Sequence, residues 1–125
     1  MAELLYKDLS YKINGIAFEI MNLIGSSHSE KIYADAFEEL LKKYSISYQR
    51  ELYYPVKVNG KLIAKRYFDF LIENKVVVEL KFGIKNYQSA CYQLFDYLKF
   101  SKLKLGLIIR FTNQGAKVKR IPNFK

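Results

Sequence analysis

The run Val76-Val77-Val78-Glu79-Leu80-Lys81 has the residue types of a buried strand with two charges near its end. Side chains alternate along an extended strand, so Val77, Glu79 and Lys81 share one face and Val76, Val78 and Leu80 the other. The preceding apolar run, Arg66-Tyr67-Phe68-Asp69-Phe70-Leu71-Ile72, is interrupted by Asp69, a carboxylate that is costly there without a partner. Register decides whether these charges meet. A three-residue turn at Glu73-Asn74-Lys75 pairs Ile72 with Val76 and sets Asp69 opposite Glu79 and Tyr67 opposite Lys81, whereas a two-residue turn separates them. The first register is the expected one, because it gathers two acids that need a cation between them. Lys81 supplies part of that charge. A hard divalent ion, Mg²⁺ or Mn²⁺, supplies the rest through carboxylate oxygens, and such a centre activates water and offsets charge developing on phosphate. The competing reading of the same spacing is a solvated Asp-Lys-Glu ion-pair set on a wet sheet face.

The elements that must hold these residues are legible from periodicity. Ile13, Ile16, Ala17, Ile20 and Ile24 recur at helical spacing, ending near Gly25. Ile32, Tyr33, Ala36, Phe37, Leu40, Leu41 and Tyr44 mark the buried face of a second helix. Aromatic and β-branched residues from Tyr48 to Val58 lead into Asn59-Gly60, a hairpin dipeptide, and Pro55 places that strand at a sheet edge. The return strand, about Leu62 to Ile72, and Val76 to Leu80 complete a three-stranded meander. Tyr87, Ala90, Cys91, Leu94 and Leu98 describe a third helix, followed by strands from Leu103 to Phe111 and Val118 to Ile121. With no repeat or Pro/Gly/Ser-rich linker, residues 1–125 read as a single domain of the α/β class. A central mixed sheet, the meander plus the C-terminal strands, is flanked by helices.

Ser27-x-x-Glu30 has the form of a capping box at the head of the second helix. Gln93 and Tyr97, four apart, lie on one side of the third helix, where they form either a polar edge facing the site or a solvated amide beside a half-buried ring. Cys91 falls on that helix's apolar stripe and reads as a core thiol, and the single His28 has no partners for a zinc site.

The chain carries 21 Lys and Arg against 12 Asp and Glu, a formal charge of +9 in 125 residues, which favours an anionic partner, nucleic acid first. Arg66, Lys85 and Arg110 are the cations nearest the proposed site and are candidates for backbone phosphates. Tyr53, Tyr54, Tyr67 and Tyr87 are candidates for base stacking, with packing as the commoner role of strand aromatics. No apolar run spans a bilayer, so no membrane partner is expected, and acids within the first residues argue against an export leader, giving a cytoplasmic expectation.

Asp69, nine intervening residues and Glu79-Leu80-Lys81 together resemble the PD-(D/E)XK nuclease superfamily. Glu30-Lys31-Ile32-Tyr33, the stretch from Gln93 to Tyr97 and the strand from Leu103 to Ile109 are similar to the GxxExxY family of small prokaryotic proteins within it. The resemblance runs from Ile13 to Ile121. It departs at Ser27, where the family has glycine, and at Phe68, where the superfamily has proline. It implies a restriction-endonuclease-like core, a metal site of Asp69 and Glu79 joined by Glu30, a catalytic Lys81, and a supporting Gln93. Tyr97 joins Arg66, Lys85 and Arg110 among the candidate nucleic-acid contacts. The function expected is hydrolysis of DNA phosphodiester bonds with Mg²⁺ or Mn²⁺. The alternative is a catalytically silent nucleic-acid- or protein-binding module of the same fold. A homodimer with two sites for opposing strands is a further possibility.

Overall fold

The computed structural model describes residues 5–124. Residues 1–4, part of the acidic start that argues against an export leader, lie outside them. In chain order the elements are α1 (Lys7–Ile24), α2 (Glu30–Lys43), β1 (Tyr48–Val58), β2 (Lys61–Ile72), β3 (Val76–Phe82), α3 (Tyr87–Ser101), β4 (Leu105–Thr112) and β5 (Gly115–Pro122). The strands form one mixed sheet in the order β1-β2-β3-β4-β5. All neighbours are antiparallel except β3 and β4, which α3 connects in parallel.

Two tight turns set the meander. Asn59 and Gly60 both take left-handed φ, 52° and 77°, and join Val58 to Lys61, as the dipeptide predicts. Glu73 and Asn74 are also left-handed, and the Lys75 amide closes their turn on the Ile72 carbonyl at 2.9 Å. Ile72 then pairs with Val76, the register expected from a three-residue connection. β1 is the outer strand, consistent with Pro55.

The sheet has two apolar faces. Phe70, Ile72, Val76, Val78, Leu80, Leu107, Ile109 and Phe111 pack beneath α1 and α2. Val77, Ile108 and Ile121 pack with Phe68 and Leu52 against Ala90, Leu94, Tyr97 and Leu98 of α3. The β3 alternation is therefore as expected, with Glu79 and Lys81 on the α3 side. α3 lies very close to β4 at Gly106, where an added Cβ would sit 2.7 Å from Leu94 Cδ2. The end of α3 is tied down by the buried Asn123, whose amide donates to the carbonyls of Leu98 and Leu103 at 3.0 and 3.1 Å.

Two expectations are corrected. β5 runs from Gly115 rather than Val118. The capping box is absent as written. Ser29, not Ser27, caps α2, accepting from the Ile32 amide at 3.3 Å. Ser27 adopts a left-handed φ of 69° outside the helix. Glu30 is then the first helical residue, so its carboxylate is not needed for the cap.

Candidate active site

The predicted acids meet where the β2–β3 ladder gives out. Its paired residues end at Phe70↔Val78, and one step further Asp69 and Glu79 replace carbonyls with carboxylates. The Asp69 amide donates to Glu79 Oε1 at 3.0 Å, and the Leu80 amide donates to Asp69 Oδ2 at 2.7 Å. The two carboxyl groups also lie within hydrogen-bond contact of each other. Burial, then the neighbouring Asp69 charge, push the Glu79 carboxyl up to about 9, against a weaker pull from Lys81. At neutral pH Glu79 therefore holds a proton, which takes the position between the acids that a cation would otherwise fill. This is the observation that tests the fit of a divalent ion: two half-buried carboxylates held side by side and in need of positive charge are a hard-cation donor pair. Among the described residues no three His, Cys, Asp or Glu side chains already converge as a cage.

The other expected residues approach this pair from three elements. Lys81, two residues along β3, has a side chain 18% exposed, and its Nζ is 3.8 Å from Glu30 Oε1 at the start of α2. Glu30 Oε2 also accepts from the Phe82 amide at a long 3.5 Å, spanning from α2 to the end of β3. Gln93 and Lys81 line one cavity of about 300 Å³ with Asn86, Ser89 and Ala90 at the start of α3. A second cavity, about 280 Å³, joins Glu30 and Asp69 with Arg50 and Glu51.

Glu51 is the acid that sequence reasoning passed over. Arg50 pairs with Phe70 and Leu52 with Phe68, so Glu51 stands opposite Asp69, and its φ of 59° is in the left-handed region. A non-glycine residue held there costs of order 1 kcal/mol, and such residues are found at turns, bulges and active sites. Arg50 anchors the position by ion pairs with Asp35 at 2.8 Å and Glu38 at 2.9 Å on α2. The Tyr48 hydroxyl first, and then Arg50, lower the Glu38 carboxyl below its usual range.

The proposed nucleic-acid contacts separate. Arg110 pairs with Lys81 across β3 and β4, and its guanidinium lies 4.9 Å from the Tyr87 ring centroid. Lys85 is exposed in the loop between β3 and α3, and Arg66 is exposed on the β1–β2 hairpin opposite Tyr54. Tyr97 is 9% exposed, with its ring against Phe68 and Tyr54, so the packing alternative fits its position and a stacking platform does not. Tyr33 is fully buried, stacked on Phe111, and its hydroxyl donates to the Gly25 carbonyl. Cys91 is half-buried at the edge of the α3 core, and His28 hydrogen-bonds the Ile24 carbonyl. No helix among the described residues is long and apolar enough to cross a membrane.

A mixed five-stranded sheet covered by helices, with an acidic pair and a lysine at one end of β2 and β3, defines a restriction-endonuclease-like α/β fold. The family model of the PD-(D/E)XK nuclease superfamily matches residues 7–121, and the chain belongs to that superfamily. Among solved structures, it is similar to one titled "Crystal structure of SSO0001", with a TM-score of 0.56 and 20% identity. The match covers 94% of this chain and 57% of the other, so the chain spans little more than half the length of that relative. No curated protein matches the chain.

Proposed function

We propose that the chain is a divalent-metal-dependent nuclease that hydrolyses DNA phosphodiester bonds, with Asp69 and Glu79 as metal ligands, Glu30 beside them and Lys81 as the catalytic cation. The observation that carries this is the contact between Asp69 and Glu79, with Glu79 held protonated by burial and then by its neighbour's charge. Mg²⁺ or Mn²⁺ bound there supplies positive charge that acidifies a neighbouring water and offsets the charge growing on phosphate. The chain's own residues do the rest. Lys81, braced by Glu30, donates to the attacking water or to a non-bridging phosphate oxygen. Gln93, across the cavity from Lys81, orients the same water or phosphate through its carboxamide. As the water oxygen bonds to phosphorus it gives up one proton to solvent, and the ester P–O bond breaks. The leaving oxygen takes a proton, giving a phosphomonoester and a free hydroxyl.

Glu30 and Tyr33 at the head of α2, with Gln93 on α3, support placing the chain in the GxxExxY group. The charge of +9 supports a nucleic-acid substrate.

A second reading, a silent nucleic-acid- or protein-binding module, is favoured by one feature: both carboxylates are already engaged by backbone amides. Incubation of plasmid, linear and single-stranded DNA with Mg²⁺, Mn²⁺ or EDTA separates the two. Cutting that needs metal and is lost in both Asp69→Ala and Lys81→Ala supports the nuclease. Salt-sensitive binding without cutting supports the module.

A further inference from the structure

Three cations cross the sheet at one level. Lys81 on β3 pairs with Arg110 on β4, and Arg110 pairs with Lys117 on β5. Cross-strand partners share a face, and this is the α3 face, because Arg110 lies against Tyr87 at the start of that helix. Neighbouring strands are about 4.8 Å apart, so the row is about 10 Å long.

Like charges directly opposite each other destabilise a sheet. Lys81 has Glu30 at 3.8 Å, but among the described residues neither Arg110 nor Lys117 has a carboxylate partner. Arg110 Nε is buried with no acceptor, an orphaned donor of a kind that folded proteins rarely leave unmet. Two further features suit the row to an anion. α3 begins beside Arg110 without a side-chain cap, its Tyr87 amide held by the Ile84 carbonyl at 3.1 Å, so the positive end of its dipole lies near the row. A cavity of about 500 Å³ lies over the far half of the row, walled by Gly83 and Ile84 on one side and Asn113 and Gln114 on the other.

From this we infer that Arg110 and Lys117 form a backbone subsite for the nucleic-acid strand, gripping phosphates that flank the one presented to Lys81. At about 3.4 Å of axis per phosphate on each strand, the row spans two to three of them. The strand then runs from the acidic pair, past Lys81, toward β5. The contacts are to phosphate, so they position the strand without reading its sequence. This rests on the nucleic-acid reading of the site and not on catalytic turnover.

The test is fluorescence anisotropy of a labelled 20-nucleotide DNA, single-stranded and duplex, in EDTA, where no cutting intrudes. Binding is measured across a salt series for the unaltered chain, Lys117→Gln, Arg110→Gln with Lys117→Gln, and Lys12→Gln on α1 as a control for bulk charge. Each lost phosphate contact removes about 0.7 to 0.9 from the slope of log K against log salt. The expected results are a loss of roughly one in Lys117→Gln, nearly two in the double variant with at least about tenfold weaker binding, and less than twofold change in the control. Lys117 is exposed, so its single variant keeps the proposal testable even if the double variant folds poorly. Slopes equal to the control's in both variants would overturn the subsite, even if the chain cuts DNA. The expected slope losses in a chain that cuts nothing under any metal would keep the subsite and remove the nuclease reading.

Discussion

Asp69 and Glu79 hold one another's strands. The Asp69 amide is bonded to Glu79 Oε1 at 3.0 Å, and Asp69 Oδ2 takes the Leu80 amide at 2.7 Å, in place of the carbonyls of a regular ladder. The acids are therefore part of the sheet's hydrogen bonding and, at the same time, the donor pair of the proposed centre. An ion entering between them has to displace a proton from Glu79, while Asp69 Oδ1 and Glu79 Oε2, the oxygens not bonded to those amides, are left to receive it.

Stability without metal should fall as pH rises. The Glu79 carboxyl titrates near 9 when folded and near its ordinary 4.5 when unfolded, so between those values the folded state holds a proton the unfolded state has released. Stability is then fully present below about 4.5 and is lost progressively up to about 9. Glu79→Gln keeps an acceptor for the Asp69 amide and a donor for the Asp69 carboxylate. Urea melts in EDTA should show the variant about 1–3 kcal/mol more stable at pH 8 than the unaltered chain, with a flatter pH dependence.

Ser29 and Glu30 are neighbours with separable roles. Ser29→Ala removes the cap of α2 and should cost about 1 kcal/mol in denaturant melts while leaving activity per folded molecule nearly unchanged. Glu30→Gln should leave stability within about 0.5 kcal/mol. It should lower cleavage by about 10- to 100-fold, because it loosens Lys81 and removes an acid from the metal site. If Glu30→Gln cost stability and spared cleavage, Glu30 would be a structural residue.

Gly106 fixes how closely α3 lies on the sheet. Gly106→Ala places a methyl 2.7 to 3.1 Å from the Leu94 side chain and should cost about 1–3 kcal/mol. Gln93, adjacent to Leu94, must shift with the helix, so cleavage should fall as well. Combining Gly106→Ala with Leu94→Ala should be non-additive by at least about 0.5 kcal/mol, as for directly touching residues. Additive losses in denaturant melts would show that the helix had moved for another reason.

The acidic pair and Lys81 were legible because two local signals agree: alternation along Val76 to Lys81, and a three-residue connection at Glu73-Asn74-Lys75 that sets one register. Glu51 was not. Counting outward from the Asn59-Gly60 turn would set it opposite Phe68, but a bulge between Val56 and Lys57 shifts the register by one and brings it opposite Asp69. An acid in an aromatic strand was the available signal; the bulge has no sequence mark. The row Lys81, Arg110, Lys117 was hidden for a different reason. β3 and β4 are parallel, and no turn links their registers; the packing of α3 on Gly106 and Ile108 sets them instead. The cap was misplaced because Ser27 and Ser29 are both good N-caps, and the left-handed backbone at Ser27 decides between them.

The most direct test of the central claim, that Asp69 and Glu79 are a cation site closed by a proton, is calorimetric titration of Mn²⁺ into the chain at pH 7.5 in two buffers of different ionisation enthalpy. The account predicts that each Mn²⁺ bound releases close to one proton, that Glu79→Gln abolishes the release and weakens binding, and that Asp69→Asn weakens binding as well. Mn²⁺ binding with no proton release, or binding unchanged in both variants, would contradict it.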